Sequence, residues 1–394
     1  MQPGRTLLVL VLVSACSIPA ARQHSSNGVT LNFTEAVARN GYQSETHSVL
    51  TEDGYLLTLF RLGKNRGTPT LLVHGLLQSA DCWIDSGPDA GLGYLIAAAG
   101  YDLWLGNVRG NYYSRAHTHL RPEDPAFWDF STDEIGLYDV PAMVDYVLQQ
   151  TGAKKLNYIG FSQGAGALFM TCSERSHYCS KVNVIIALSP SMRHKNTRSP
   201  LFRLVTEGSL DYGPILRSVG IHEVFTRGTL TQEILSFFCN IPELIIFCTI
   251  FKEMLDAVYQ LHKPMVTEET IRTLVTHFPS GTSVKNMVRF GQAMKNEEFI
   301  KFDYGEENLQ RYGSVLPPKY NFEAVNVPVV AIYGKNDGIV DIKDVEWGLQ
   351  KLPVVLESYV IKDPHWSHLD MNYSKNTKRL VFPKINKYLS MFSL

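Results

Sequence analysis

The hydrophobic positions of this chain are gathered into short runs that alternate with more polar stretches. Two runs, 46–50 and 55–60, flank Asp53-Gly54 and predict a β-hairpin. Later runs have the length and apolar character of buried strands: 70–73, 101–105, 156–159, 182–188, 327–333 and 356–361. Helical patterns such as 139–149 lie between several of them. Continuous apolar strands that alternate with helices predict an α/β fold with a largely parallel sheet covered on both faces.

The alternation stops in residues 191–318, where we predict no strand of the central sheet. This segment has amphipathic or wholly apolar helical patterns, and Glu233 to Met254 is especially rich in Phe, Ile and Leu. A helical subdomain packed on the sheet would also give such a pattern, but the segment lies between two predicted core strands. We therefore interpret it as a helical cap, or lid, over an active site in a core formed by residues 22–190 and 319–394.

The N-terminus has the pattern of a secretory signal peptide. Arg5 precedes the apolar run 7–13, and Pro19-Ala20-Ala21 resembles a cleavage zone. The run is too short for a membrane anchor, since a transmembrane helix needs about 20 apolar residues. We predict that residues 1–21 are a signal peptide and that the chain has no transmembrane span.

The composition is typical of a folded globular protein and gives no information on the substrate. The 394 residues are 45% hydrophobic and 19% charged, and the formal net charge of −1 gives no reason to expect a nucleic acid partner. Two tripeptides are glycosylation acceptors, which fits export: Asn32-Phe33-Thr34 and Asn372-Tyr373-Ser374. Neither C-x-x-C nor H-E-x-x-H occurs, so we expect no structural or catalytic metal site of the zinc type.

The cysteines also fit an oxidising compartment. Removal of Cys16 with the signal peptide leaves five. Cys172 with Cys179 and Cys239 with Cys248 are close pairs and candidate disulfides. Cys82 would then be a free and buried thiol.

The strongest chemical signal is a nucleophile motif. The predicted strand 156–159 runs into Gly160-Phe161-Ser162-Gln163-Gly164, and 165–172 then reads as a helix. This is G-x-S-x-G in the strand–turn–helix context of an α/β-hydrolase nucleophile elbow. The sharp turn brings the flanking positions into tight contact, and glycine avoids the clash. We assign Ser162 as the nucleophile.

A catalytic serine needs a base and a carboxylate that orients it. In this architecture the order is serine, acid and histidine, each after a strand. Asp337 follows the strand 327–333 closely, while Asp341 and Asp344 are rivals farther from its end. After the strand 356–361, either His365 or His368 could be the base.

The oxyanion of an acyl-transfer intermediate needs two backbone N–H donors. One belongs to Gln163, the residue after the nucleophile. The other is expected after an early strand, where His74-Gly75 precedes Leu76, whose N–H is the candidate. Because His74 lies beside this loop, we interpret it as structural rather than as a catalytic base.

These motifs resemble the acid lipase family, which includes lysosomal acid lipase, gastric lipase and many insect lipases. The similar segments cover nearly the whole mature chain: Gly41-Tyr42, Thr51 to Tyr55, His74 to Leu77, Asn107 to Asn111, Tyr113 to Arg115, Phe127 to Ser131, Tyr138 to Ala142, Gly160 to Gly164, Pro279 to Ser283 and His368 to Asp370. The resemblance implies an α/β-hydrolase fold with a helical cap. It also implies hydrolysis of triacylglycerols or sterol esters without a cofactor.

The resemblance also resolves the open assignments. The family's catalytic histidine precedes a Leu-Asp pair, which selects His368 over His365, and its aspartate matches Asp337. Its oxyanion donors correspond to Leu76 and Gln163, and its cap often has a disulfide near the positions of Cys239 and Cys248.

The chain departs from the family pattern at two places. Phe161 occupies the elbow position where the family usually has histidine, and Gly338-Ile339-Val340-Asp341 replaces the usual Leu-Ala-Asp run. Phe161 need not take part in proton transfer, so we expect a changed substrate or pH preference rather than inactivity. The departure after the aspartate concerns specificity and not the triad.

We therefore expect a secreted or lysosomal serine lipase that meets its lipid ester substrate at a lipid–water interface. Two alternatives differ from this reading. A carboxylesterase acting on small soluble esters would not need the apolar cap, and a non-catalytic lipid carrier would not need a complete Ser162–Asp337–His368 set. No pattern in the sequence predicts the oligomeric state.

Overall fold

The computed structural model describes residues 31–63, 67–258 and 265–393. The predicted signal peptide, residues 1–21, lies outside the described residues. Among the residues described, no helix combines the length and the apolar character that crossing a bilayer requires.

A central sheet organises the described chain. Its strands run in the order β1-β2-β4-β3-β6-β7-β10-β11, and β5 pairs with β2. The strands, including the short pair β8 and β9, are β1 Ser44–Leu50, β2 Tyr55–Leu62, β3 Pro69–Val73, β4 Asp102–Gly106, β5 Ala116–His117, β6 Leu156–Phe161, β7 Val182–Leu188, β8 Glu223–Val224, β9 Thr282–Ser283, β10 Val329–Tyr333 and β11 Val355–Val360. The predicted hairpin is confirmed as the antiparallel pair β1–β2. From β4 to β11 all neighbouring strands are parallel, as predicted.

Helices cover both faces of this sheet. The α-helices of the described chain, including those of the segment between β7 and β10, are α1 Phe33–Arg39, α2 Leu92–Ala98, α3 Thr132–Glu134, α4 Val140–Thr151, α5 Gln163–Glu174, α6 Pro200–Thr206, α7 Ser209–Ser218, α8 Leu230–Asn240, α9 Ile245–Asp256, α10 Glu268–His277, α11 Val284–Lys295, α12 Asn308–Tyr312, α13 Ile342–Leu349, α14 Asp370–Tyr373, α15 Thr377–Leu380 and α16 Phe382–Phe392. The predicted helix 139–149 corresponds to α4, which begins directly after a π-helical turn at Ile135–Asp139.

Alternation along the strands divides the core into two layers. In β3, Leu71 and Val73 join one hydrophobic cluster, and Leu72 joins the other. In β7, Ile185 and Ile186 divide in the same way. Helices α4 and α5 supply the first layer, and α1, α2 and α16 supply the second. Because successive strand side chains point to opposite faces, a strand with both faces covered must be apolar throughout.

Between β7 and β10 the described chain is mainly helical. Its short strands β8 and β9 pair only with each other, so no strand from this segment joins the central sheet, in agreement with the prediction. We refer to residues 191–318 as the cap segment.

The apolar stretch Glu233 to Met254 is helical, as predicted, and it is divided into two helices, α8 and α9. Ile241, which follows α8, is extended, with φ of −81° and ψ of 119°. The reason is Pro242, because a proline disfavours helical geometry at the preceding residue.

Both candidate disulfides are present in the structure. Cys239–Cys248 joins α8 to α9, and Cys172–Cys179 joins α5 to the 3₁₀ helix that follows it. Cys82 is a free, buried thiol, as predicted. The α8–α9 hairpin is therefore covalently closed across its turn.

Candidate active site

Ser162 lies on a strained elbow at the end of β6. Its φ of 51° and ψ of −116° lie outside the ordinary regions for a side-chain-bearing residue, and α5 begins at the next residue. A Cβ on Gly160 would lie 2.5 Å from the backbone nitrogen of Ala165, and one on Gly164 would lie 2.3 Å from the oxygen of Val73. The two glycines are therefore a steric requirement of this turn, as the sequence pattern predicts.

Asp337 and His368 form a hydrogen-bonded pair next to the elbow. The Nδ1 atom of His368 lies 2.7 Å from Oδ2 of Asp337, and both residues are buried. The other carboxylate oxygen, Oδ1, accepts hydrogen bonds from the N–H groups of Ile339 at 3.0 Å and Val340 at 2.7 Å. The carboxylate is thus held by its own turn while it orients the imidazole.

The rival acids have other partners in the structure. Asp341 caps the first turn of α13 and forms an ion pair with Arg198. Asp344 accepts hydrogen bonds from Arg193 and Asn196. These partners leave Asp337 as the carboxylate of this turn that reaches a histidine.

The rival histidine is also placed differently. His365 is exposed, and its backbone oxygen accepts a hydrogen bond from Asn336. His368 lies three residues further on, buried beside the elbow.

Phe161 packs directly on the candidate base. Its ring centroid lies 4.8 Å from that of His368, with the planes inclined by 34°. The same ring lies about 3.1 Å from where a Cβ on Gly75 would be. The residue that departs from the family pattern therefore fills the space between the oxyanion loop and the imidazole.

The loop after β3 and the first residue of α5 present the two candidate oxyanion donors. Neither the Leu76 N–H nor the Gln163 N–H donates a hydrogen bond to another described residue. The side chain of Gln163 is held, since its Oε1 accepts from Thr132 Oγ1 at 3.1 Å and from Asn286 Nδ2 at 2.9 Å. Asn286 belongs to α11, so the cap segment contacts the residue next to the candidate nucleophile.

His74 supports the oxyanion loop from beneath. Its Nε2 accepts hydrogen bonds from the N–H of Val108 and from Asn111 Nδ2, which leaves Nδ1–H to donate to the oxygen of Gly75 at 2.8 Å. Burial lowers the pKa of His74 to about 4. The interpretation of His74 as structural agrees with these contacts.

The two glycosylation candidates differ in accessibility. Asn32 is partly exposed and caps α1, where its Oδ1 accepts from the N–H of Glu35. Asn372 is completely buried, so the folded chain leaves no space for a glycan on its amide. The structure thus argues against the predicted glycosylation at Asn372.

Sequence reasoning did not single out several residues that contact the site. Asn286 and Thr132 hold the side chain of Gln163, and Lys252 and Asp256 of α9 contact the loop of His368. All four residues lie in segments distant in sequence from the residues that they contact. The one signal in the sequence that could have indicated them is a polar residue at a position where the helical pattern predicts burial. Among the residues that the structure describes, no cluster of three or more His, Cys, Asp or Glu could hold a metal ion.

Comparison with known proteins identifies relatives that match about nine tenths of the chain. One family model, a partial alpha/beta-hydrolase lipase region, matches residues 33–87, and another, the alpha/beta hydrolase fold, matches residues 68–204. Lipase 1 of Drosophila melanogaster is 35% identical over 93% of this chain and 82% of its own length. Gastric triacylglycerol lipase of Bos taurus is 34% identical over 90% of each chain. A crystal structure from Sulfolobus solfataricus, 14% identical, covers 95% of this chain and 98% of that chain with a TM-score of 0.59, which supports the fold alone.

Proposed function

This chain belongs to the family of gastric- and lysosomal-type lipases, and we propose that it hydrolyses ester bonds of neutral lipids through an acyl-enzyme on Ser162. The observation that carries the proposal is the buried hydrogen bond between His368 and Asp337, which lies beside a strained serine elbow. Serine, histidine and aspartate in these roles form the machinery of serine ester hydrolysis.

The proposed reaction has two halves. Ser162 Oγ attacks the ester carbonyl while His368 Nε2 removes its proton, and Asp337 keeps the histidine proton on Nδ1 so that Nε2 can accept. The N–H groups of Leu76 and Gln163 stabilise the negative oxygen of the tetrahedral intermediate. His368 then protonates the departing alcohol. In the second half, a water molecule activated by His368 releases the fatty acid from Ser162.

We further propose that the cap segment acts as a lid. Ser162 and His368 are each 3% exposed, so a lipid must displace surrounding protein before its carbonyl can reach the nucleophile. The oxyanion residue Leu76 packs against a hydrophobic cluster that belongs mainly to the cap segment, including Tyr212, Val284 and Met287. Movement of the cap segment would therefore open the site at its oxyanion side.

The α8–α9 hairpin supplies a surface suited to a lipid interface. We name the exposed apolar side chains of these two helices the apolar surface: Leu230, Ile234, Phe237, Phe238, Ile246, Phe247, Ile250, Phe251 and Met254. Contiguous exposed apolar residues mark an interaction site in a water-soluble protein. This surface favours an aggregated lipid substrate over a small dissolved ester.

We propose that the protein acts outside the cell or in the lysosome. Two disulfides in one chain fit an oxidising compartment, and the N-terminal sequence has the pattern of a signal peptide.

The test compares the wild-type protein with a Ser162→Ala variant. Substrates are a long-chain triacylglycerol emulsion, a cholesteryl ester emulsion and a soluble short-chain ester. We expect kcat of the variant to fall by about 10⁴-fold or more on every substrate that the wild type cleaves. Higher wild-type activity on an emulsion than on the soluble ester would support the lipase over the carboxylesterase, and the ratio of the two emulsions identifies the ester class. Activity of the variant near wild type would exclude Ser162 as the nucleophile.

A further inference from the structure

A buried ionic cluster connects cap helix α9 to the loop of the candidate base. The Lys252 side chain is 3% exposed, and its Nζ lies 2.8 Å from Oδ1 of Asp370 and 2.9 Å from Oγ of Ser367. It also lies 3.2 Å from carboxylate oxygens of Asp256 and Glu253 on its own helix. Burial alone would lower the pKa of Lys252, but these carboxylates raise it above its ordinary value. The ammonium is therefore charged inside the protein.

The cluster holds both chain neighbours of His368. Oδ2 of Asp256 accepts hydrogen bonds from Ser367 Oγ at 2.8 Å and from the N–H of Leu369 at 2.8 Å. Oδ2 of Asp370 accepts from the N–H of Ser367 at 2.9 Å. The carboxylate of Asp256, in the cap segment, therefore holds both chain neighbours of His368, Ser367 and Leu369.

The same end of α9 also contacts the turn that carries the candidate acid. The oxygen of Asp256 accepts a hydrogen bond from the N–H of Gly338 at 2.8 Å, and Ala257 forms an antiparallel bridge with Asp337. The N–H of Val258 donates to the oxygen of Asn336 at 3.1 Å. Three consecutive residues, 256–258, therefore contact the loops of both members of the acid–base pair.

The buried ionic cluster has a larger desolvation free energy than an apolar contact that would attach the cap segment equally well. Burying an ammonium with several carboxylates carries a large desolvation penalty, and well-packed apolar residues of similar volume often hold two elements together as well or better. The polar contacts do have a directional property that apolar packing lacks, because each fixes a particular backbone or side-chain atom. In this cluster the fixed atoms flank His368.

We infer that Lys252 and Asp256 are positioning residues of the proposed triad, which make the alignment of His368 with Asp337 depend on the placement of cap helix α9. The inference rests on the proposed function, and it assigns neither residue a contact with substrate. Helix α9 also carries five of the nine residues of the apolar surface. Contact with lipid and alignment of the acid–base pair therefore act on one element.

A second buried ion pair between the cap segment and the core provides a matched control. His277 at the end of α10 lies with Nδ1 2.7 Å from Oδ1 of Asp85 in the core. Its Nε2 lies 3.0 Å from the oxygen of Leu31. None of these contacts involves the loops of Asp337 or His368. Replacing this pair disturbs the junction of cap and core without touching the proposed positioning contacts.

The experiment compares Lys252→Met, Ser367→Ala and the control His277→Gln/Asp85→Asn in the full-length protein. Steady-state kinetics on a soluble ester give kcat and KM without adsorption to lipid. The rate of inactivation by diethyl p-nitrophenyl phosphate reports the nucleophilicity of Ser162. The low-field proton NMR signal of His368 Nδ1–H, assigned by its loss in Asp337→Ala, reports the hydrogen bond itself. Thermal unfolding measures stability separately.

We expect Lys252→Met to lower kcat by about 10- to 100-fold, as small misplacements of catalytic groups do, with KM changed by less than about twofold. Ser367→Ala, which removes only the shared hydroxyl, should lower kcat in the same direction by a smaller factor. Both variants should weaken the low-field signal and slow inactivation by the phosphate ester. The control should lose thermal stability but keep its kcat and its signal.

The inference is overturned if Lys252→Met and Ser367→Ala keep the kcat and the signal of the wild type, or if the control loses activity to the same degree. If Lys252→Met does not fold, Ser367→Ala against the control decides. The Ser162→Ala variant separates the two proposals. An active Ser162→Ala variant refutes the triad, whereas an inactive one beside fully active Lys252 and Ser367 variants refutes only the positioning role.

Discussion

At the scale of single residues, Asp337 shows how the surroundings of one group determine its chemistry. Its Oδ1 accepts two N–H donors of its own turn, so only Oδ2 is directed at His368. An asparagine could keep the same turn with its oxygen, and its amide nitrogen would then face Nδ1 of His368. The imidazole would be left with its proton on Nε2, where it cannot accept the proton of Ser162.

We therefore predict that Asp337→Asn lowers kcat by about 10⁴-fold through the wrong tautomer rather than through unfolding. Kinetics on a soluble ester and a thermal unfolding curve check this together. Asp341→Asn serves as the control, because Asp341 caps α13 and has no contact with His368 in the described structure. An Asp337→Asn variant with kcat within about tenfold of wild type would contradict the assigned role.

Residues differ in how far sequence can place them. Ser162 is predictable because sterics of the elbow impose glycine on both sides of it, and this leaves a local pattern. Asp337 and Asp341 are four positions apart, and no local pattern decides which of them points at the histidine. The family resemblance favours Asp337, and the structure places its carboxylate against His368. Lys252 leaves no local pattern at all, because its partners Ser367 and Asp370 lie more than 110 positions away.

At the scale of elements, the α8–α9 hairpin combines a covalent closure with the apolar surface. The disulfide Cys239–Cys248 joins the two helices, and the end of α9 contacts the loops of Asp337 and His368, the acid and base of the proposed triad. The helical character of this stretch was predictable from its apolar content. The outward direction of its large side chains was not, because a strongly apolar helix is normally expected to be buried.

We predict that Phe247→Ser/Phe251→Ser reduces adsorption to a triacylglycerol emulsion and activity on it, with kcat on a soluble ester unchanged. The two phenylalanines are 64% and 47% exposed, so their replacement removes apolar contact with lipid rather than core packing. Binding to emulsion droplets, measured by sedimentation, checks adsorption directly.

Val315→Ser/Leu316→Ser is the matched control. These residues are 72% and 75% exposed but lie outside α8 and α9. Equal loss of adsorption in both double variants would show that the apolar surface has no special part in lipid contact.

At the scale of the whole molecule, the central sheet could be predicted from the sequence, whereas the packing of the cap segment on it could not. The parallel strands follow from continuous apolar runs, since both faces of the sheet are covered. The contacts between the cap segment and the core include buried polar pairs between segments distant in sequence. His277 with Asp85, Asn286 with Gln163, and Lys252 with Asp370 are such pairs. No periodicity in the sequence encodes them.

Buried histidines contribute to how the stability of the whole molecule depends on pH. Burial lowers the pKa of His74 to about 4 and that of His194 to about 3, so the fold keeps both neutral. Unfolded histidine has a pKa of about 6.5 and takes up a proton below that value. Their contribution to stability therefore declines as pH falls from about 6.5 toward 4.

His277 acts in the opposite sense. Burial disfavours its protonated form, but the carboxylates of Asp85 and Asp81 outweigh this effect and raise the pKa of His277 to about 9. The raised pKa means that the folded state binds the proton more tightly than the unfolded state. The resulting stabilisation is fully present below pH 6.5 and is lost as pH rises through about 9.

We predict that the free energy of unfolding of the wild type falls by on the order of 2 kcal/mol more than that of His277→Gln/Asp85→Asn between pH 7 and pH 10. The double variant removes both charges, so neither an unpaired buried carboxylate nor a titrating imidazole remains at this junction of cap and core. Urea unfolding at closely spaced pH values measures both proteins, and titrations common to them cancel in the difference. Parallel pH profiles for the two proteins would mean that the proton on His277 does not stabilise the docked cap.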